Sequence, residues 1–323
     1  DIRELAEDMY RLRPNFIHLG FGMQKHLYGG EAVRTIALLP PLVGGFRVHY
    51  SNTDRELDLS FLQGKHFANE AETTGHRKTY NMAQLGKVLE TGEVKSLFVF
   101  NTNPVVNFPN QKLVKKGLLR EDLFVVVHDL FMNDTCSYAD IVLPATSFLE
   151  SFDVHVCYYH NYMSVNQKAI DPLGEAKPNY QVFKELAGSL GLQPDKIFPP
   201  EREVIEEFLT RSKAVEFTLE DLETKGFCKM NIRPQDVYTT PSSKIEFYSQ
   251  SAKKAGLPPL PGYYKEKSNK YPFQLLSVNL MHITRSQFHN NRKKEIEPVV
   301  LINEDEAKQR EIKKGEWVRL RNG

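Results

Sequence analysis

Three short apolar runs constrain this chain more than any other feature: Ser96–Phe100, Leu123–Val127 and Ile141–Leu143, each ending in a polar turn. A continuous apolar run without alternation is what a strand needs when both of its faces are covered. Between the first two runs, residues Gln111 to Lys116 carry helical spacing. After the third, Tyr180 to Leu190 does so again, with Gly191 placed to cap its end. Strand alternating with helix predicts an α/β fold with a doubly wound, Rossmann-like parallel sheet over residues 49–190.

The flanking segments differ in character. Residues 1–48 read as helix (Ile2 to Leu12, closed by Pro14), strand (Asn15 to Leu19), glycine loop and a second helical pattern through Ala32, Val33, Ile36 and Leu39. They are expected to be the end of one α/β unit. Residues 47–92 are polar apart from a helical stretch at Met82 to Leu89, and a surface excursion of that length is often functional. Residues 191–268 are rich in proline and charge and are expected to be a connector, with short helices at Glu203–Leu209 and Leu219–Thr224. Residues 269–323 change again. Strands at Phe273–Val278, Val299–Ile302 and Trp317–Leu320, with a helix at Asp305–Arg310, predict the start of a β-barrel.

Composition excludes several classes. Charged residues are 26% of the chain and hydrophobic ones 41%, with a net charge of +1. Such a balance offers no basic surface for nucleic acid. No apolar run reaches the roughly 20 residues of a membrane helix. The three cysteines, Cys136, Cys157 and Cys228, form no C-x-x-C pair, so they supply neither a zinc site nor a cluster, and buried free thiols are expected. A cytoplasmic location fits that usage. No P-loop and no complete G-x-G-x-x-G is present; Gly20-Phe21-Gly22 supports only a tight loop.

In a doubly wound sheet, ligands sit at the carboxyl ends of the strands. Three loops leave that edge. Asn101 to Pro104 has small polar residues that let backbone N–H groups approach a phosphate or purine. His128-Asp129 puts a carboxylate where dinucleotide folds bind sugar hydroxyls. Pro144 to Ser147 carries two hydroxyls. His128 also has a plainer reading as a strand-end cap, and His155 and His160, among Tyr158, Tyr159 and Tyr162, read as packing.

Several spaced motifs together resemble the molybdopterin oxidoreductase superfamily, the dimethyl sulfoxide reductase and formate dehydrogenase group. The run Asp122 to Thr135 continuing through Ala139 to Ala145 is similar to that family's signature stretch. The glycine loop Gly20–Gly30, Asn103-Pro104, Leu149-Glu150 and Gly174-Glu175-Ala176 follow the family order. Met281 to Asn290 resembles the opening of its C-terminal pterin-binding domain, and Asn303 to Gly315 the helix and turn that follow. Val43-Gly44-Gly45 departs from the Thr-Gly-Asn often found there, which puts that pterin contact in doubt.

The resemblance implies a cofactor of two pterin guanine dinucleotides on one Mo or W ion, each tail lying on one of two related α/β domains. It implies that Asn103, Asn107, His128, Asp129 and Thr146 bind one tail, with Asn179 a further candidate. Gly22, Gln24 and His26 would lie near the other pterin or the substrate funnel. His282, Thr284, Arg285 and Gln287 would cap the pterins, the Arg285 fork suiting an oxyanion. The family's metal ligand and its [4Fe–4S] cysteines lie upstream of this segment. The chain is therefore expected to be the middle and C-terminal part of a longer protein, its catalytic residue unknown and no metal ligand of its own. Three functions stay open. The first is a two-electron oxidoreductase like formate dehydrogenase or thiosulfate and polysulfide reductase, working on a small molecule with an iron–sulfur partner subunit. The second is a non-redox lyase like acetylene hydratase. The third is a scaffold subunit that keeps the fold without chemistry.

Overall fold

The computed structural model describes residues 1–12, 17–20, 22–44, 48–49, 56–62, 78–232, 238, 240–264, 271–278, 286–287 and 298–321. The predicted sheet is present. Strands β3 (Ser96–Phe100), β4 (Phe124–Asp129) and β5 (Ile141–Pro144) are parallel in the order β3-β4-β5. Their register pairs Phe100 with His128 and Asp129 with Pro144, so the three strands stop side by side.

Helices cover both faces. On one face Leu89, Val114 and Leu118, from the helices Leu85–Glu90 and Gln111–Leu118, close over Val99, Val125 and Val127. Burying these side chains supplies most of the stability of this unit, at about 25 cal/mol per Å² of apolar area. The two helices approach closely because glycines face the contact. A Cβ on Gly117 would meet Leu89 Cβ at 2.5 Å, and one on Gly86 would meet Leu113 Cβ at 3.0 Å. On the other face the helix Asn179–Ser189 sets Phe183 against Phe98 and Phe100, ring centroids 5.0 and 5.2 Å apart. At the amino end of the sheet, the Arg120 guanidinium donates to the carbonyls of Leu89 (2.7 Å) and Val94 (3.2 Å) and to the Asp122 carboxylate. Hydrogen bonds and charge from Arg120 and Lys95 hold that carboxyl well below the usual range.

A second packed unit joins residues 153–166, inside the span read as the α/β unit, to part of the span read as a connector. Strands β6 (Asp153–Cys157), β7 (His160–Asn166) and β8 (Phe227–Lys229) make an antiparallel sheet in the order β6-β7-β8. Its buried Met163 and Cys228 pack with Phe61, Phe208, Leu209 and Leu222. Thus 201–232, inside the proline- and charge-rich span, contributes the helices Glu201–Arg211 and Leu219–Lys225 to a core. The second of these starts at a capping box between Thr218 and Asp221, which satisfies two otherwise orphan backbone donors.

Near the N-terminus, the helix Ile2–Arg11, strand β1 (Ile17–His18) and helix Gly29–Ala37 follow the expected helix, strand and helix, while the partner of β1, β2 (Val48–His49), was not expected. The C-terminal expectation fares differently. The helix is there, at Glu304–Gln309, capped by the Asn303 side chain. The described residues of 271–321 form no strand, and Leu301 and Trp317 are exposed. A strand exists through its ladder of backbone bonds, and these runs meet no partner among the described residues. The barrel expected over 269–323 is not confirmed.

Candidate nucleotide-binding site

The strand ends bring three loops to one edge. At β3 the chain turns through Asn101 in the left-handed region (φ 55°), which asparagine tolerates better than most residues. Asn103 follows as the residue before the short helix Pro104–Asn107, with proline at the first position, where its missing N–H costs nothing. Asn103 is buried, and its side chain does not cap that helix. Instead Thr135, fully buried in the loop after β4, donates from Oγ1 to Asn103 Oδ1 at 2.6 Å and accepts from Val105 N–H at 3.2 Å. Asn133 holds Thr135 in turn, its Oδ1 accepting from the Thr135 N–H at 2.8 Å.

Asp129 ends β4 half-buried, and among the described residues its carboxylate makes one hydrogen bond, Oδ1 accepting from the Phe131 N–H (3.3 Å). The second carboxylate oxygen is open. Thr146, just past β5, shares a hydrogen bond with Ser151 (2.8 Å), and its N–H donates to the Lys177 carbonyl (3.2 Å). Glu150 pins the same loop, accepting from Ser147 N–H and Oγ–H and from Leu173 N–H. These bonds hold the Glu150 carboxyl below its ordinary value of 4.5.

His128 lies inside rather than on the edge. It is fully buried; Nε2 donates to the Lys177 carbonyl (3.0 Å) and Nδ1 faces Asn179 Oδ1 (2.8 Å). Asn179 Nδ2 then donates to Asn101 Oδ1 at 3.1 Å. Both ring nitrogens meet protein groups, so His128 braces Asn179 and, through it, Asn101. The plainer reading of this histidine as a strand-end brace fits that geometry.

Asn107 is exposed and donates from Nδ2 to Ser286 Oγ at 3.0 Å, which sets the C-terminal segment against the loop after β3. Neighbouring Gln287 is exposed; His282, Thr284 and Arg285 lie outside the described residues. Gly22 and His26 are exposed and flank the turn Met23–Lys25, which contains Gln24. Among the described residues no hydrogen bond joins that turn to the strand-end loops. Cys136 is buried, and burial pushes its thiol up, so it stays a protonated packing group.

Sequence reasoning gave no role to the Thr135 and Ser286 side chains, and of Asn101 it named only the loop. Thr135 was inside the quoted signature run, but a hydroxyl's partner 32 residues away leaves no mark in spacing.

The arrangement presents a buried amide, an open carboxylate oxygen and a hydroxyl at the end of a parallel sheet, a donor set that suits a nucleotide. Residues 2–189 match the family model described as "Molybdopterin oxidoreductase". The chain belongs to that family. It is similar to "Probable oxidoreductase YoaE" of Bacillus subtilis, 36% identical over 98% of this chain and 50% of that protein. It is also similar to acetylene hydratase of Syntrophotalea acetylenica, 30% identical over 70% of this chain and 33% of that one. The chain spans about a third to a half of the length of these relatives. The solved acetylene hydratase from Pelobacter acetylenicus has the same fold, with a TM-score of 0.62 and 22% identity over 82% of this chain and 42% of that one. Family membership implies a molybdopterin cofactor. No helix among the described residues is long and apolar enough to cross a membrane.

Proposed function

We propose that the edge formed by β3, β4 and β5 holds a guanine nucleotide tail of a pterin cofactor carrying Mo or W, in a protein that transfers two electrons to or from a small substrate. The observation that supports it most is the pair of ligand-facing groups left open there. Among the described residues the Asn103 amide nitrogen and the second Asp129 oxygen make no hydrogen bond, and neither is sealed inside. A donor and an acceptor left open together at a strand edge are groups that a ligand or water can complete. Asp129 would take N–H groups of the base or hydroxyls of the ribose. Asn103 would donate, Thr146 would serve a hydroxyl or phosphate oxygen, and Asn101 and Asn179 would shape the loop. Asn107 and Gln287 would border the site from the C-terminal side, and Gly22, Gln24 and His26 would approach the second pterin. When bound, the metal centre supplies the two-electron chemistry, while the protein contributes binding, orientation and electrostatics. A second dinucleotide, a [4Fe–4S] cluster and an electron-transfer subunit belong to this reading of the longer protein.

A non-redox hydratase is the second reading, favoured by the 30% identity to acetylene hydratase. Both readings are tested on the full-length protein by metal analysis and mass spectrometry of nucleotides released on denaturation. About two guanine nucleotides per Mo or W are expected for a two-pterin centre. Absence of both, from a host that makes the cofactor, would overturn the proposal in favour of a scaffold. Turnover of formate or a sulfur oxyanion with a dye acceptor supports the redox reading; acetylene consumption without any acceptor supports the hydratase.

A further inference from the structure

We infer that residues 258–264 are a strap that opens and closes over the helix Gly29–Ala37, with Arg34 as its latch and Glu31 as a built-in bias toward release. Tyr28, the N-cap of that helix, Glu31 and Arg34 recur every third residue, a spacing that puts them on one side. The two outer members hold the strap. Arg34 donates from Nη1 to Pro258 O at 2.8 Å and from Nη2 to Pro259 O, and the Tyr28 ring stacks on Tyr264 with centroids 5.4 Å apart. Pro259 O also accepts from the Ser249 N–H at 2.9 Å. Between the two anchors the strap joins no helix or strand, and Leu260 and Tyr263 are exposed. Pro258, Pro259 and Pro261 fix their own φ angles and stiffen it, so it should move as a unit. A surface segment held by a few side-chain contacts is where local opening is least costly.

Glu31 lies between the anchors and is the unusual member. Oε1 accepts from Arg34 at 3.4 Å. Oε2 is buried, and among the described residues it is the one buried side-chain oxygen or nitrogen that makes no hydrogen bond. A carboxylate oxygen shut away from donors costs free energy that solvent would return. One side of the helix thus carries two opposed effects. The Arg34 bonds and the tyrosine pair favour closure, and the sealed oxygen of Glu31 favours opening. The helix continues the glycine loop Gly20–Gly30, so the strap covers the protein next to that loop. What the strap guards rests on the reading that this loop approaches a second pterin. Its opening does not, and is measured without any ligand.

The test is limited chymotrypsin digestion of the full chain under native conditions. Cleavage at Tyr263–Tyr264 is followed by mass spectrometry, with cleavage at the exposed Tyr158–Tyr159 turn as reference. While the strap recloses faster than the protease cuts, the rate reports the open population. Arg34→Met keeps the stem and removes the guanidinium, so cleavage at Tyr263–Tyr264 should rise about tenfold or more, the scale of hydrogen bonds to a charged group. Glu31→Met keeps the length and removes the sealed oxygen, so cleavage there should fall about threefold or more. Two plain structural contacts would both speed cleavage when removed. That outcome overturns the inference, as does an unchanged rate in either variant. A rise at both tyrosine sites together, with a lower melting temperature, marks general loosening and overturns it too. Should Arg34→Met not fold, Arg34→Lys decides. Its single ammonium cannot span two carbonyls, so cleavage should still rise, and an unchanged rate overturns the latch. A full-length protein without pterin would remove what the strap guards and leave these rates standing.

Discussion

Replacing Gly117 with alanine tests the packing that supports the nucleotide edge. The new methyl would lie 2.5 Å from Leu89 Cβ and 3.0 Å from Leu89 Cδ1, well inside van der Waals contact. Leu89 is completely buried, and its Cβ is fixed by its own helix, so a rotamer change cannot relieve the clash. The helices must separate instead. Overpacking of this kind costs about 1–3 kcal/mol. Alanine returns up to about 1 kcal/mol of helix propensity in a helix interior, and less at Gly117, one residue from its helix end. The net expectation is a loss of about 1–2 kcal/mol, which is the overpacking cost reduced by the propensity gain. Gly188→Ala is the internal control. That glycine also lies in a helix, but its methyl would meet only Pro194 Cγ at 3.6 Å, an ordinary contact. Propensity then acts alone, and because Gly188 is likewise one residue from its helix end a gain of less than about 1 kcal/mol is expected. Urea unfolding of both variants, read as shifts in midpoint at constant slope, should move in opposite directions. A neutral or stabilised Gly117→Ala would refute the argument that these helices need glycine to meet.

Other expectations follow from the site. Asp129→Asn should weaken GDP binding by about tenfold or more through loss of charge-assisted bonds. Its stability should change by less than about 0.5 kcal/mol, because the new amide oxygen can still accept from Phe131 N–H; calorimetry beside thermal melting checks both. His128→Leu should cost about 1–3 kcal/mol, since the Asn179 side-chain amide loses its ring partner while Lys177 O retains the Thr146 N–H. Faster amide exchange at Asn101 would show the brace released. The Glu150 carboxyl is depressed in the fold, so its stabilisation is complete above its ordinary value of 4.5 and is lost as pH falls through the lower folded value. Glu150→Gln should flatten that acid limb of the urea midpoint against pH, and an unchanged limb would assign acid sensitivity elsewhere.

Much of the sheet could be read from the chain because its signal is local. Ser96–Phe100 is an uninterrupted apolar run between breakers, and the structure returns it with the same bounds. Asn103 and Asp129 could be placed at one edge because each follows or ends an apolar run that pairs in the parallel sheet. The hairpin β6–β7 was not legible. Its exposed Tyr158, Tyr159 and Tyr162 blur the alternation, and its stability comes from Met163 meeting Phe208 and Leu222 across a long sequence separation. The same limit applied to 201–232, where proline and charge dominate the composition while a few apolar residues form the contacts. His128 shows the limit at the level of a site. Sequence placed it next to Asp129 at the strand end; strand alternation turns neighbours to opposite sides, and the ring lies inward on Lys177 and Asn179.

The Lys177 backbone closes a circuit with wider meaning. It bridges to Ala145 as a parallel neighbour, donates to Pro144 and accepts from Thr146, so the chain re-enters the sheet beside the point where it left. Everything between, residues 147–176, leaves and returns at that junction, and on the way it carries β6 and β7 into the second packed core. The exposed turn at Tyr158 and Tyr159 is the part whose length and decoration can change without moving Asp129, Thr146 or Asn179, because both ends of the excursion are tied to the same edge. One junction thus mechanically couples the strand-end edge to a separate core while leaving a surface free to vary.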